Sequence, residues 1–430
     1  MELTTIPAIA FAVVLSAWTV SVSAAEPSAP ADGWLGIGKD LAERETLTNH
    51  GFGLGETLES RGIAVALSLT QAYQINLRGG TATHRHAGRY AGSYDLELEV
   101  DTEKLIGLPG GSMYVLAEGS WSDGLDDSSI GSLYGVHDDA GGDRSVDVTE
   151  LWYQQRLLDG RLRVRVGKID LTGGFECRGC AVAFDGSAFA NDETAQFLNG
   201  ALVNNPSIPF PDNGLGAVVY LEPADGFYVS AGAADAQADA RETGFRTAFH
   251  REDHFLAIFE TGLAASLPSA RGPMPGAYRA GFWYDPQPKE RFDGGRAKRD
   301  DVGLYLSFDQ VLLKENADEE DTQGFGAFLR YGYAHAEAHE IRCFWGAGGQ
   351  YQGLLPGRDD DVVAVGLASG CLSPDAGFGR THESVMEVYY AAQVTPWLAV
   401  SPSFQYVWNP GGADGVGDAC ILGVRVQLLF

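Results

Sequence analysis

Hydrophobic and polar residues alternate one by one over many stretches of this chain. The first long example spans residues 63–77. Its apolar positions are Ile63, Val65, Leu67, Leu69, Tyr73, Ile75 and Leu77. Small and polar residues occupy most of the positions between them, including Ser68, Thr70, Gln74 and Asn76. Because successive side chains of a strand point to opposite faces, this pattern predicts a β-strand with one apolar face.

The same period recurs along the chain. In the next stretch, Tyr94, Leu96, Leu98 and Val100 alternate with Asp95, Glu97, Glu99 and Asp101. Further strands are predicted around 111–121, 146–157, 161–168, 215–222, 226–234, 254–265, 276–285, 302–309, 324–334, 343–354, 361–370, 386–393, 398–408 and 419–430. This makes about sixteen strands, and an even number is typical of bacterial single-chain outer-membrane barrels.

The last stretch, Ala419 to Phe430, carries its apolar residues on one face and ends on an aromatic residue. A soluble sheet with one wet face would show the same alternation. In an outer-membrane barrel, however, the last strand pairs with the first, and aromatic residues lie at the membrane interface. Since the pattern repeats through the whole chain, we predict an all-β fold, a transmembrane antiparallel β-barrel of about sixteen strands.

Turn signals agree with this prediction. Asp159-Gly160 is a two-residue hairpin signal between two strands. The long connections at 122–145, 171–214 and 286–299 are rich in Gly, Pro, Asp and Asn. Short turns at one end and long loops at the other are typical of outer-membrane barrels. A barrel of this strand number is wide enough for an aqueous channel.

The N-terminus contains an apolar run from Ile6 to Val22, followed by Ser23, Ala24 and Ala25. This predicts a signal peptide at 1–25, although its first residues carry Glu2 and no Lys or Arg. Residues 26–61 are predicted to form a periplasmic lead-in with a short helix from Lys39 to Thr48, and 62–430 the barrel. No later segment has 18 consecutive apolar residues, which excludes helical spanning.

Charge narrows the range of partners. Asp plus Glu number 58 against 30 Lys plus Arg, a net charge of −28. We therefore expect no nucleic acid as a partner, because binding to phosphates depends on cationic side chains. The acidic excess also predicts a weak preference for cations over anions in any channel.

Several stretches resemble the carbohydrate-selective porins of the OprB type, densest over 60–235. The residues that carry the resemblance are Leu77-Arg78-Gly79-Gly80, Tyr94 to Leu105, Glu150 to Gln155, Val166 to Asp170, Phe184 to Asn191 and Asn205 to Pro209. The resemblance implies sixteen strands in a Gram-negative outer membrane, a long loop or short helices folded into the lumen, and diffusion of sugars. The chain departs from the family pattern at Cys177 and Cys180 and in its acidic balance.

Charged residues on the inner face are candidates for contact with the solute. Arg161, Arg163 and Arg165 share one strand face, and Leu162, Val164 and Val166 share the other. Because arginines facing lipid would destabilise a barrel by several kcal/mol, we predict that they point inward. There they could oppose Asp95, Glu97 and Glu99 across a constriction. The alternative is that they pair with acidic neighbours on the wall and hold a loop.

Aromatic rings are the second group of candidates, since flat rings suit the apolar faces of sugars. Trp283 and Phe328 share strand faces with Arg279 and Arg330. Tyr305 and Tyr153 are further candidates. Most other aromatic residues are assigned to the outer girdle at the membrane interface.

Five cysteines stand at 177, 180, 343, 371 and 420. Cys177 could pair with Cys180, and Cys343 with Cys371, in an exported protein. Cys420 is predicted to face lipid. His335, His339 and Cys343 are spaced like metal ligands on a helix, but they fall at a strand end and in a loop, so we predict neither a metal nor a cofactor.

Two functions remain open at this point. The first is a porin that lets monosaccharides or oligosaccharides diffuse passively into the periplasm, with sugars and outer-membrane lipid as partners. The second is a barrel with a plugged lumen that acts in surface binding or adhesion. No G-x-S-x-G motif is present, and no enzyme is predicted. A monomer and a homotrimer both fit the sequence.

Overall fold

The alternating stretches form sixteen antiparallel strands that close into one barrel. A computed structural model describes residues 39–83, 87–172, 184–190, 196–239, 241–249, 252–318 and 322–430. The strands are β1 (Ile63–Gly80), β2 (Gly88–Asp101), β3 (Gly111–Trp121), β4 (Arg144–Leu157), β5 (Leu162–Ile169), β6 (Gly214–Ala224), β7 (Phe227–Asp235), β8 (Phe255–Leu267), β9 (Met274–Asp285), β10 (Asp301–Lys314), β11 (Gly324–Tyr333), β12 (Ile341–Gln352), β13 (Val362–Leu372), β14 (His382–Thr395), β15 (Leu398–Trp408) and β16 (Gly417–Leu429). The predicted strand number and fold class are confirmed.

The barrel closes where β1 pairs with β16, in register from Ser68 opposite Leu429 to Asn76 opposite Ile421. Each other strand pairs with its neighbour in sequence. Closure removes both sheet edges, so no row of backbone N–H and C=O groups is left unpaired along an edge strand. The backbone N–H of Phe430 donates to the Leu67 carbonyl at 2.9 Å, which fastens the last residue to β1.

The outer face is apolar, as the alternation predicted. Side chains such as Val65, Leu96, Val166 and Leu422 are exposed on it. Cys420 lies on the same face of β16 as Leu422, which agrees with its predicted outward direction, and it is not in a disulfide. Among the described residues, no helix is both long and apolar enough to cross a bilayer.

The helices are short. They are α1 (Lys39–Ala42), α2 (Asn49–Phe52), α3 (Leu54–Glu59), α4 (Thr102–Ile106) and α5 (Gly200–Val203). The helix predicted from Lys39 to Thr48 is thus only four residues long. Of the described residues, 39–42 belong to one unit, and those from Glu43 onward form the unit that contains the barrel. The predicted signal peptide, at 1–25, lies outside the described residues.

The two ends of the barrel differ in their connections. The longest ones, 122–143, 170–213, 236–254 and 286–300, all leave the same end, which we call the long-loop end. The opposite end, the short-turn end, includes the tight turns around Asp159-Gly160 and Ala224-Asp225-Gly226. The prediction of short turns at one end of the barrel and long loops at the other is therefore confirmed.

Candidate functional site in the barrel lumen

Two of the long loops fold into the lumen. The first inward loop comprises 122–143, between β3 and β4. The second comprises 170–213, between β5 and β6, of which 173–183 and 191–195 lie outside the described residues. The family resemblance implied one such loop, and two are present among the described residues. They meet where the Asp138 backbone N–H donates to the Leu198 carbonyl at 2.8 Å.

The first inward loop is held by β14–β16, beyond the strand pair that closes the barrel. Glu383, on β14, accepts hydrogen bonds from the Ser132 hydroxyl at 2.5 Å and from the Leu133 backbone N–H at 3.1 Å. Apolar side chains support this attachment. Leu125, Ile130 and Val136 of the loop form one cluster with Val385, Val407, Ala419 and Ile421 of the wall. Hydrogen bonding and apolar burial thus both favour the folded-in loop.

The second inward loop is held by buried charges. Arg330, on β11, donates to the Asp185 carboxylate at 2.6 Å and to the Val203 carbonyl at 2.8 Å. Arg279, on β9, donates to the Gly186 carbonyl at 2.8 Å and forms an ion pair with Asp309. Both buried guanidiniums thus have a carboxylate partner and donate to carbonyls of the loop, as buried charges require.

The helical part of this loop packs on β11–β14. Glu387 accepts hydrogen bonds from the backbone N–H groups of Leu198 and Asn199, at 3.0 and 2.9 Å. Phe197 makes edge-to-face contacts with Phe328 and Tyr389. The wall is flat enough for this packing because position 366 is glycine, where a Cβ would lie 2.8 Å from Leu202 and 2.9 Å from Phe197.

Five predicted solute contacts lie beneath this loop. Arg279, Trp283, Tyr305, Phe328 and Arg330 all face inward, as their strand positions predicted, but each is at most 4% exposed. The prediction that these side chains meet the solute is therefore wrong, because they bind or pack against the loop. Tyr153, the remaining aromatic candidate, faces outward on β4, since its neighbour Trp152 is the inward residue.

A different part of the inner wall keeps its charges within reach of water. Asp95, Glu97 and Glu99 project inward from β2, where Asp95 and Glu97 are partly exposed and Glu99 is exposed. Glu118, on β3, stands directly opposite Asp95 and is also partly exposed. Within this row, Glu97 accepts a hydrogen bond from the Tyr114 hydroxyl at 3.1 Å.

Arginines and aromatic rings continue this wall. The Arg165 guanidinium lies 3.8 Å from the centre of the Trp152 ring, and Trp152 stacks on Tyr114 at 5.0 Å. The Trp152 indole N–H donates to Glu150 at 2.9 Å. Arg163 lies 5.2 Å from the Tyr220 ring centre. Cation–π contact of this kind orients a guanidinium. Arg165 is only 4% exposed, so Arg163 is the partly exposed arginine of the two.

Arg161 does not belong to this group. It lies in the turn before β5, where its side chain is exposed and forms an ion pair with Asp225 at 3.0 Å. The prediction of three inward arginines holds for Arg163 and Arg165 only. Arg161 differs from the other two because it belongs to the hairpin turn around Gly160, where the strand alternation of faces does not apply.

We call the inward faces of β2–β5 the polar wall. Its main members are Asp95, Glu97, Glu99, Tyr114, Glu118, Trp152, Arg163 and Arg165. The acidic row and the arginines are three strands apart, roughly 14 Å along the sheet. They therefore stand side by side rather than facing each other across the lumen, which corrects the predicted arrangement.

Sequence reasoning missed Tyr114, Trp152 and Glu118 as inward residues of this wall. A signal existed, because Trp152 alternates with Tyr153 within Glu150 to Gln155. The direction of that alternation is set by a β-bulge, however. The register of β3 with β4 shifts where Leu116 and Ala117 face Glu150 and Val148. A bulge reverses the faces of the strand beyond it, and its position is not visible in the residue pattern.

The cysteines and histidines considered from the sequence lie in different parts of the structure. Cys343 and Cys371 form the disulfide considered from the sequence, whereas Cys177 and Cys180 lie outside the described residues. His335 and His339 both hydrogen-bond to the carboxylate of Asp301, the first at 2.9 Å. No group of three potential metal ligands occurs within the ranges that the structure describes.

Comparisons with known proteins agree with this architecture. A family model described as carbohydrate-selective porin, OprB family, matches residues 85–430. Porin B of Pseudomonas aeruginosa is 23% identical over 446 residues, covering 95% of this chain and 93% of that protein. The high-pH structure of Pseudomonas putida OprB is 20% identical, with a TM-score of 0.77, and covers 90% of this chain and 99% of its own. The low-pH structure of that protein is 18% identical, with a TM-score of 0.57 and the same coverage.

Proposed function

The chain belongs to the OprB family of carbohydrate-selective porins, channels of the Gram-negative outer membrane, and we propose that sugars cross it along the polar wall. The observation that carries this proposal is the difference between the two sides of the lumen. The inner faces of β9–β16 are largely buried under the two inward loops, whereas β2–β5 keep partly exposed carboxylates and Arg163.

The polar wall has the chemistry that a sugar requires. Carboxylates accept hydrogen bonds from hydroxyl groups, and guanidiniums donate them. Weak, reversible contacts of this kind let a solute enter and also leave, so that diffusion stays passive and needs no catalytic step. Because both inward loops narrow the lumen, we expect monosaccharides to pass faster than oligosaccharides.

The remaining partners follow from the outer face. The exposed leucines, valines and aromatics on it would contact outer-membrane lipid, with the long-loop end outside the cell. The polar wall is built from a single chain, so a monomer and a homotrimer would each keep a complete channel in every protomer.

Current block in planar bilayers tests the polar wall. With D-glucose as the probe, we expect Arg163→Ala to raise the half-blocking concentration about tenfold. This factor corresponds to loss of about 1.4 kcal/mol, near the lower limit for a hydrogen bond to a charged group.

Arg161→Ala provides the matched control, because Arg161 is close in sequence but is bound to Asp225 in the turn. The half-blocking concentration of D-glucose for this variant should equal that of the unsubstituted protein. Equal effects of the two substitutions would overturn the assignment to the polar wall. A protein that forms no open channel at all would contradict sugar diffusion itself.

A further inference from the structure

A pocket opens on the inner wall at the short-turn end of the barrel, away from the polar wall. Its volume is about 280 Å³. We call it the exit pocket, and its members come from β9–β13 and from the second inward loop. The residues that matter here are Phe189, Val311, Lys314, Gln350, Gln352 and Val362. Pockets for drug-sized ligands begin at about 300 Å³, so this slightly smaller volume suits a ligand smaller than those.

Strand register brings these side chains together on the inner face. Gln352, on β12, is opposite Val362 of β13 on one side and Gly324 of β11 on the other. Gly326, two residues further along β11, is opposite Val311 and Gln350. Residues two apart on a strand share a face, so one surface carries both glutamines.

A glycine lets the inward loop complete this pocket. At Gly326, a Cβ would lie 2.1 Å from the ring of Phe189. Any larger residue would push the ring away, so the absence of a side chain lets Phe189 lie against the wall. The position of the ring is fixed further by its own backbone, since the Gln350 amide donates to the Phe189 carbonyl at 3.1 Å.

The polar groups of the pocket are held in place by the protein. The Gln350 amide nitrogen also donates to the Tyr389 hydroxyl at 3.0 Å, so both of its N–H groups are used. Its carbonyl oxygen is then the part that can accept a hydrogen bond from a ligand. Gln352 donates to the Thr322 hydroxyl at 2.9 Å, and the Lys314 ammonium lies 3.3 Å from the Asp318 carbonyl.

The pocket thus combines an apolar side, formed by Phe189, Val311 and Val362, with a side of amides and one ammonium. A pyranose has the matching character, because its C–H faces are apolar and its rim of hydroxyl groups both donates and accepts. Lys314 would donate to a hydroxyl oxygen, and the carbonyl oxygen of Gln350 would accept a hydroxyl hydrogen.

We propose that the exit pocket is a second binding site for a neutral hexose, at the periplasmic end of the channel. This proposal rests on the proposed function, since it requires that sugars reach the lumen. Two weak sites in series are a general way to combine selectivity with release, because neither site must bind tightly.

The test uses single channels in planar bilayers, with D-glucose added on the short-turn side. Two sites predict two components in the distribution of blocking times. Val362→Phe fills the pocket and should remove one component, and Gln352→Ala should shorten that component at least about threefold. Arg163→Ala should remove the other component and leave this one.

Val365→Phe is the matched control, because Val365 lies on β13 but faces outward and is exposed. It should keep both components. An unchanged open-channel current in Gln352→Ala shows that the barrel still folds. If both components persist in Val362→Phe and Gln352→Ala, the exit pocket is not a sugar site while sugar diffusion stands. The same holds if the unsubstituted protein shows only the component that Arg163→Ala removes. Absence of any glucose block or glucose flux in the unsubstituted protein would overturn both proposals.

Discussion

The Arg330 guanidinium lies 2.6 Å from the Asp185 carboxylate, and both side chains are 1% exposed. This pair joins the wall of β11 to the second inward loop, and the same guanidinium donates to the carbonyls of Asp185, Leu202 and Val203. The loop therefore stays in the lumen through one buried cation that satisfies several acceptors at once.

Replacing this cation should release the loop. In Arg330→Met, the Asp185 carboxylate and the carbonyls would lose their donor, which typically costs about 3–5 kcal/mol for a buried pair. We expect a wider lumen, measured as a larger single-channel conductance and as entry of the trisaccharide raffinose in liposome-swelling assays. Arg342→Met, on exposed Arg342 of β12, is the control. If Arg330→Met still excludes raffinose, Arg330 does not anchor the second inward loop in the lumen.

Ion selectivity should follow the acidic row. In water, a unit charge about 10 Å from a passing ion contributes ~0.4 kcal/mol, a factor of about two in its local concentration. Neutralising Asp95, Glu97 and Glu99 together as Asn, Gln and Gln should therefore lower the cation-to-anion permeability ratio about twofold or more, measured as a reversal potential in a salt gradient. As a control, Asp159→Asn, in the short turn, should leave the cation-to-anion permeability ratio unaltered. A clear anion preference in the unsubstituted protein would refute the assignment of this row.

The first inward loop should respond to pH through Asp139. Burial raises the pKa of this carboxyl to about 8, and nearby Asp95, Glu118 and Asp138 add to the rise, while a hydrogen bond from Ser93 lowers it. The carboxyl is thus protonated in the folded-in loop at neutral pH.

Because this pKa lies above the ordinary value of 3.8, the folded-in loop is most stable below pH ~4 and loses stability as pH rises through about 8. We expect conductance to increase between pH 6 and pH 9, and Asp139→Asn to abolish the increase. The control Asp127→Asn, at an exposed position of the same loop, should retain it. A flat pH profile in the unsubstituted protein would exclude Asp139 as the responsive group.

The disulfide between Cys343 and Cys371 should contribute to barrel stability. It links β12 to β13 across a sequence separation of 28 residues, and a cross-link of this kind typically contributes about 2–4 kcal/mol. We expect the double variant Cys343→Ala/Cys371→Ala to unfold at a lower temperature in a heat-modifiability gel. Reducing agent should lower the unfolding temperature of the unsubstituted protein to the same value. Cys420→Ala should unfold like the unsubstituted protein. Equal unfolding temperatures of all three proteins would show that neighbouring strands hold this region without the cross-link.

The sequence alone determined the strands and their two faces. Asp95, Glu97 and Glu99 point inward, and Val65 and Leu96 outward, as the alternation predicted, because the pleat fixes side-chain direction residue by residue. The number of strands followed from the same local rule. The alternation rule gave the wrong direction for Tyr153, because a bulge reverses the faces of β4. It also failed at Arg161, which lies in the turn and not in the strand.

Only the tertiary structure decided which inward residues meet the open lumen. Arg163 and Arg330 look alike in the sequence, since each alternates with apolar residues on a strand, but only Arg163 remains partly exposed. Arg330 is covered because Asp185, 145 residues away, returns to it within a loop that has no repeating pattern. Long-range contacts of this kind depend on the path of the loop through the closed barrel. The strand pattern therefore predicts a channel, and the packing of the two inward loops determines where its solute path lies.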